Sequence, residues 1–360
     1  MFIYRKQLSQ ITGIFLLLLT IFGSIGSATT EISLVAQANY LLFATILMLS
    51  ASMKYKHPIT VLSIGLYSII VSILSGAQYL YLILPALIIF ANPKNNENEP
   101  EHTGLKVYLT VINAVCFTLV ASTIYKHGLH AGFIREDLYR DPNFFALFFL
   151  VLSFPLVFGG KVSKIISLMI LGTVLYLTLS RALLLGMTFQ LAALLALRNR
   201  QYRLTRVVCA LALIFSVTYP FITGSLFVGE IHNYSIGFER ILQFNDLSNF
   251  GRNQQIIESF EYILDKNLYY HGMDESQLSQ KPHNWFWLIA IRFGLLSAIT
   301  FFALLIISIY STSIRIAIIC ASSALATGFL DFFPLVSILY GVISYYVAIG
   351  IIPGKWQYKI

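Results

Sequence analysis

Long apolar runs, broken by short polar turns, recur along the whole chain. Runs of about 17–25 apolar residues match the thickness of a bilayer when wound as a helix. The pattern predicts twelve spans, at about 8–26, 34–52, 58–75, 77–91, 105–125, 143–159, 162–179, 182–197, 204–222, 285–308, 313–330 and 333–352. The runs are continuous rather than alternating, which excludes a transmembrane barrel. One extended polar segment interrupts them, at 223–284. Within it, Ile256, Ile257, Phe260, Ile263 and Leu264 fall on one helical face, with Glu258, Glu261 and Asp265 opposite. This predicts an amphipathic helix over about 252–266, lying on the membrane surface or against the bundle. Ser248 or Asn249 is expected to cap it, leaving Arg252 in its first turn. The chain thus divides into spans 1–9 (1–222), a loop (223–284), and spans 10–12 with a short tail (285–360).

Composition agrees with that reading. Of 360 residues, 57% are hydrophobic and 11% charged, too few charges to cover a soluble protein of this length. Cys116, Cys209 and Cys320 each lie inside an apolar run and read as small buried hydrophobes. The N-terminal run, behind Arg5 and Lys6, resembles a signal peptide but reads as an uncleaved first span.

Charge supplies the orientation. With the N-terminus in the cytoplasm, inside turns hold Lys54, Lys56, Lys94, Arg198, Arg200, Arg203, Arg206 and Lys355, as the positive-inside rule requires. The exceptions cluster. Lys126, Arg135 and Arg140 fall in one outside loop; Arg240, Arg252, Lys266 and Lys281 fall in the other. Arg181 stands at the outer end of a span. Long external loops tolerate charge, but this clustering points to an anionic ligand on the outer side.

Five short segments sharpen the picture: Tyr139-Arg140-Asp141-Pro142-Asn143, Leu177-Thr178-Leu179-Ser180-Arg181, Gly237-Phe238-Glu239-Arg240-Ile241, Asn249-Phe250-Gly251-Arg252 and Lys281-Pro282-His283-Asn284. In this order, on consistent sides of the membrane, they resemble the bacterial O-antigen polymerases and O-antigen ligases over about residues 130–300. One departure stands out. Family members often carry a Pro and a Gly-x-Gly ahead of the histidine, whereas this chain reads Asn267-Leu268-Tyr269-Tyr270-His271-Gly272.

The resemblance implies an all-α integral membrane protein related to the glycosyltransferase C class. Its place would be the bacterial inner membrane, both termini cytoplasmic, its site facing the periplasm. It implies undecaprenyl-diphosphate-linked oligosaccharide as donor and acceptor, surrounding membrane lipids and a chain-length regulator protein as partners, and no nucleic acid. A polymerase transfers the growing chain onto another lipid-linked repeat unit; a ligase transfers it to lipid A–core. The polymerase reading is preferred.

The residues offer matching chemistry. No Asp-x-Asp stands in the outer loops, and the adjacent Glu136 and Asp137 would diverge on most backbones, so no metal or cofactor is expected. Arginine is permanently charged and meets phosphate through two N–H groups. Arg252 and Arg181 are expected on the diphosphate, with Arg135, Arg140 and Arg240 assisting at the substrate. His283 is the expected base, since neutral imidazole accepts a proton near neutral pH and nearby arginines favour that form. Asn284 is expected either to serve His283 and the substrate or to hold the helix end. Trp285 and Trp287 read as interfacial anchors, sugar stacking being the second choice. A transporter or flippase would place ionisable groups mid-membrane, which this chain does not.

Overall fold

A computed structural model describes residues 161–199, 201–226, 247–273, 282–311 and 314–328, with parts of 113–129 and 143–150. All regular structure among the described residues is α-helical; beside helical residues within 113–125 and 143–150 it comprises α1 (Lys161–Thr178), α2 (Arg181–Arg198), α3 (Tyr202–Leu226), α4 (Leu247–Asp265), α5 (Trp285–Phe293), α6 (Leu295–Ser311) and α7 (Ile314–Thr327). The expected spans 1–4 and 12 lie outside the described residues, as do Arg135, Arg140 and Arg240. Among the described residues, α3 carries an apolar stretch long enough to cross a bilayer, Tyr202–Tyr219. Lys164–Thr178, Arg181–Leu197, Leu295–Ile307 and Ala317–Thr327 are shorter apolar helices. The all-helical class therefore stands, while the count of twelve spans stays an expectation from the sequence.

α7 is the centre of the packing. Residues 317–328 are buried without interruption, and they include Ala317, Cys320, Ala321, Ser322, Ser323, Ala324, Ala326 and Gly328. Side chains this small let neighbouring backbones approach closely. α7 packs against α2, α3 and α6. Gln190 on α2 donates to Ser322 Oγ at 3.1 Å, a buried polar tie across the bundle. Arg206, near the start of α3, donates to the Ile309 carbonyl near the end of α6. The three cysteines are buried and free.

The expected span at 285–308 is not one helix. Gly294 breaks it, with φ +90° and ψ 152°, a conformation open essentially to glycine alone. A break inside an apolar bundle leaves backbone groups without partners, and residues 268–273 supply them. Leu295 N–H donates to the Leu268 carbonyl and Leu296 N–H to that of Tyr269, both at 2.9 Å, while Met273 N–H donates to the Ile291 carbonyl at 2.9 Å. The clamp is close-packed. A Cβ on Gly272 would lie 1.9 Å from the Arg292 carbonyl oxygen, and one on Gly294 2.9 Å from the His271 nitrogen. Gly272 is thus held in place by backbone contact.

α4 leads directly into this clamp. It ends with Asn267 in the left-handed region at φ 53°. Leu268 N–H reaches the Ile263 carbonyl at 3.0 Å and Asn267 N–H that of Leu264 at 3.2 Å. That is the Schellman pattern, with Asn in the place glycine usually takes. Ile256 and Ile263 are fully buried in the core shared with α3, α5, α6 and α7, whereas Glu258, Glu261 and Asp265 are exposed. Of the two placements open for this helix, packing against the bundle is the one found.

Gly294→Ala is expected to destabilise the protein by about 1–3 kcal/mol from backbone strain alone, and Gly272→Ala to disrupt the clamp. Gly172→Ala, whose Cβ meets nothing within 4 Å, is expected to leave the apparent melting temperature unchanged or slightly raised. Thermal unfolding of the three variants in detergent checks the ordering.

Candidate active site at the α3, α5 and α7 junction

Asn284 stands at the start of α5 with no exposed surface. Its Oδ1 accepts from the N–H of Phe286 at 2.9 Å and of Trp287 at 3.5 Å, capping the helix. Its Nδ2 donates to the Ser216 carbonyl at 2.7 Å and to the Gly328 carbonyl at 3.0 Å. Both carbonyls need an outside donor. Ser216 lies four residues before Pro220, which has no N–H to complete the ladder of α3. Gly328 follows the end of α7, where carbonyls are unpaired. One primary amide therefore joins three helices. Of the two roles the sequence left open for Asn284, it holds the helix end, with both ends of its amide engaged by backbone.

The neighbouring tryptophans are buried in the same way. Trp285 is fully enclosed and donates to the Ala324 carbonyl at 3.1 Å. Trp287 is 6% exposed and forms a triangle of tilted rings with Phe221 of α3 and Phe260 of α4, at centroid distances of 5.5–5.8 Å. Such edge-to-face contacts each contribute about 0.5–1.5 kcal/mol beyond area burial. The expectation of interfacial anchoring or sugar stacking is corrected: these rings weld α3, α4 and α5 together.

His283, between buried Pro282 and Asn284, is half-buried. Its Nδ1 lies 3.0 Å from Oε1 of Gln255 on α4. Arg252 is one turn earlier on that helix, where residues three apart are neighbours, and it lies within electrostatic reach of the buried Tyr219 phenol on α3. The Asn249–Arg252 and Lys281–Asn284 segments thus converge, bringing an imidazole and a guanidinium to the end of the bundle that holds the Asn284 junction. Arg252 is not where the sequence put it. α4 begins at Leu247, so Ser248 and Asn249 lie within the helix and Arg252 in its second turn, past the four N–H groups that a helix start leaves free. A guanidinium beside the free N–H groups of a helix start is therefore not found at Arg252.

That juxtaposition occurs at Arg181 instead. Leu179, at φ 47°, turns the chain between α1 and α2. Ser180 caps α2, its Oγ accepting from Leu183 N–H at 3.3 Å, and Arg181 is the first helical residue, half-buried. Ser180 Oγ also donates to Asn143 Oδ1 at 2.8 Å, so two further segments meet. α2 runs from there along α7, where Gly186 packs near Ala326, so Arg181 is at the same end as Asn284.

Sequence reasoning missed Gln255 and Tyr219. Gln255 adjoins Gln254, which is exposed, and no local signal separates the two. Compared with protein-family models, curated proteins and solved structures, the chain matches none.

Asn284→Ala should cost at least about 3 kcal/mol, from the lost cap and two unpaired buried carbonyls. Asn284→Asp should fare no better. It keeps the capping oxygen but sets a carboxylate against the Ser216 and Gly328 carbonyls. Apparent melting temperatures of both variants check this.

Proposed function

We propose that the protein is an O-antigen polymerase: a polytopic inner-membrane glycosyltransferase of about twelve spans, termini cytoplasmic, that joins undecaprenyl-diphosphate-linked repeat units at the periplasmic face. The observation that carries this reading is the convergence of His283 with the Arg252-bearing helix, at the end of the bundle where Arg181 also stands. A membrane setting is supported by exposed apolar side chains on the outward faces, such as Val162, Ile165 and Met169 of α1, Leu204, Leu211 and Phe215 of α3, and Ile299 and Ile307 of α6. In water, apolar surface of that extent would drive association.

The reaction follows from the groups present. Neutral His283 takes the proton of the acceptor hydroxyl, whose oxygen attacks the anomeric carbon of the donor sugar. The bond from that carbon to the diphosphate oxygen breaks, and its electron pair leaves with undecaprenyl diphosphate. Guanidinium groups at Arg252 and Arg181 stabilise the negative charge that develops on the leaving group. Arg135, Arg140 and Arg240, from the loop segments of the sequence, are the further groups proposed to assist at donor and acceptor. No metal is assigned a role, and a chain-length regulator is the expected protein partner.

The test uses purified protein, lipid-diphosphate-linked repeat units and chelator, read as a gel ladder of product lengths. A ladder is expected, with kcat falling by about 10²–10⁴ in His283→Ala, the usual contribution of a positioned base. Arg252→Lys should also be impaired despite its retained charge, because the forked donor geometry is lost. A ladder undiminished in His283→Ala would refute the base; transfer only when lipid A–core is added would identify a ligase. Silence with both acceptors would favour a lipid-linked glycan transporter.

A further inference from the structure

α4 carries two adjacent glutamines with different surroundings. Gln254 is exposed, whereas Gln255 is half-buried, with buried Asn253, Ile256 and Ser259 around it on the helix. Ser259 Oγ donates to the Gln255 backbone carbonyl at 2.6 Å. The side-chain Oε1 meets His283 Nδ1 at 3.0 Å. An amide oxygen only accepts, so with the amide in this orientation the ring nitrogen facing it carries the proton. The lone pair of the neutral ring then sits on Nε2. His283 directly precedes Asn284, whose amide anchors the start of α5 to α3 and α7, and the ring's rotation and tautomer are set by what the side chain meets.

We propose that Gln255 is the positioning residue for His283, holding the proton on Nδ1 and so presenting Nε2 as the base toward the acceptor hydroxyl. This rests on the reading of His283 as that base. A neutral amide suits the role because it selects a tautomer without stabilising the imidazolium. A carboxylate in its place would favour the charged ring and hold back the basic form. An amide turned over to donate its NH₂ to Nδ1 would put the ring proton on Nε2 and leave no base there, and the experiment distinguishes the two.

The full-length protein, carrying ¹⁵N-histidine in lipid nanodiscs, is examined by NMR above pH 8, with His283→Ala identifying the ring's resonances. Wild type is expected to be protonated at Nδ1 and bare at Nε2. Gln255→Leu should shift the population toward the Nε2–H tautomer and lower kcat at least about tenfold, with little change in KM, a share of the ~10²–10⁴ a placed base provides. Gln255→Glu restores an acceptor, so it should recover the Nδ1–H form while moving the acid limb of the pH–rate profile to higher pH. A wild-type ring protonated at Nε2 overturns the proposal, as does a Gln255→Leu variant with unchanged tautomer and kcat, and either leaves the transferase reading intact. A tautomer that follows Gln255 in a protein without transfer activity overturns the transferase reading while upholding the contact.

Discussion

Three helices meet at Asn284, and each brings backbone groups that its own ladder cannot satisfy. α5 brings the N–H groups of its first turn, α7 a carbonyl past its end, and α3 the Ser216 carbonyl that Pro220 leaves without a donor. In an apolar interior such groups cost several kcal/mol each when unpaired. A primary amide has two acceptor sites and two donors, which is what this junction needs. A side chain with only one polarity could serve part of it. The relative height of α3, α5 and α7, and with it the position of His283, follows from this one group.

The break at Gly294 obeys the same constraint by another route. Its orphan groups are met by the backbone of residues 268–273, reached through the Schellman turn that ends α4. The amphipathic helix, the clamp and α5 therefore form one covalent and hydrogen-bonded circuit. Phe221, Phe260 and Trp287 close it from the apolar side. Gly272 and Gly294 are fixed at their positions because backbone lies where a Cβ would have to be.

Within this frame the short polar segments divide by task. Ser180, Asn143 and Asn284 spend their hydrogen bonds on the architecture, capping helices or tying one segment to another. His283 directly precedes Asn284, and Gln255 links its imidazole to α4, the helix that carries Arg252. For the proposed reaction, an imidazole next to a helix start already fixed by buried polar contacts needs little further ordering at the moment of binding.

The apolar periodicity alone placed α1, α2, α3 and α7 to within a few residues, because helix length and polarity are local properties. It also found most of the buried face of α4: of the five residues on its stripe, Ile256 and Ile263 are buried and Ile257 and Phe260 half-buried, whereas Leu264 is exposed. The break at Gly294 escaped it. A single glycine inside an apolar run reads as continuous, and what stabilises the break is a backbone segment more than twenty positions upstream. The start of α4 was misplaced for a related reason: Ser248 and Asn249 are good caps by type, yet the helix was free to begin before them. The segments containing Arg181, Arg252 and His283 were legible as polar and basic punctuation. Which of two neighbouring glutamines would meet the histidine was not, nor that Pro220 creates the acceptor Asn284 fills. Residue type and spacing determined what each element is; the tertiary structure decided which unsatisfied group faces which partner, because that pairing depends on how separate helices are set against one another.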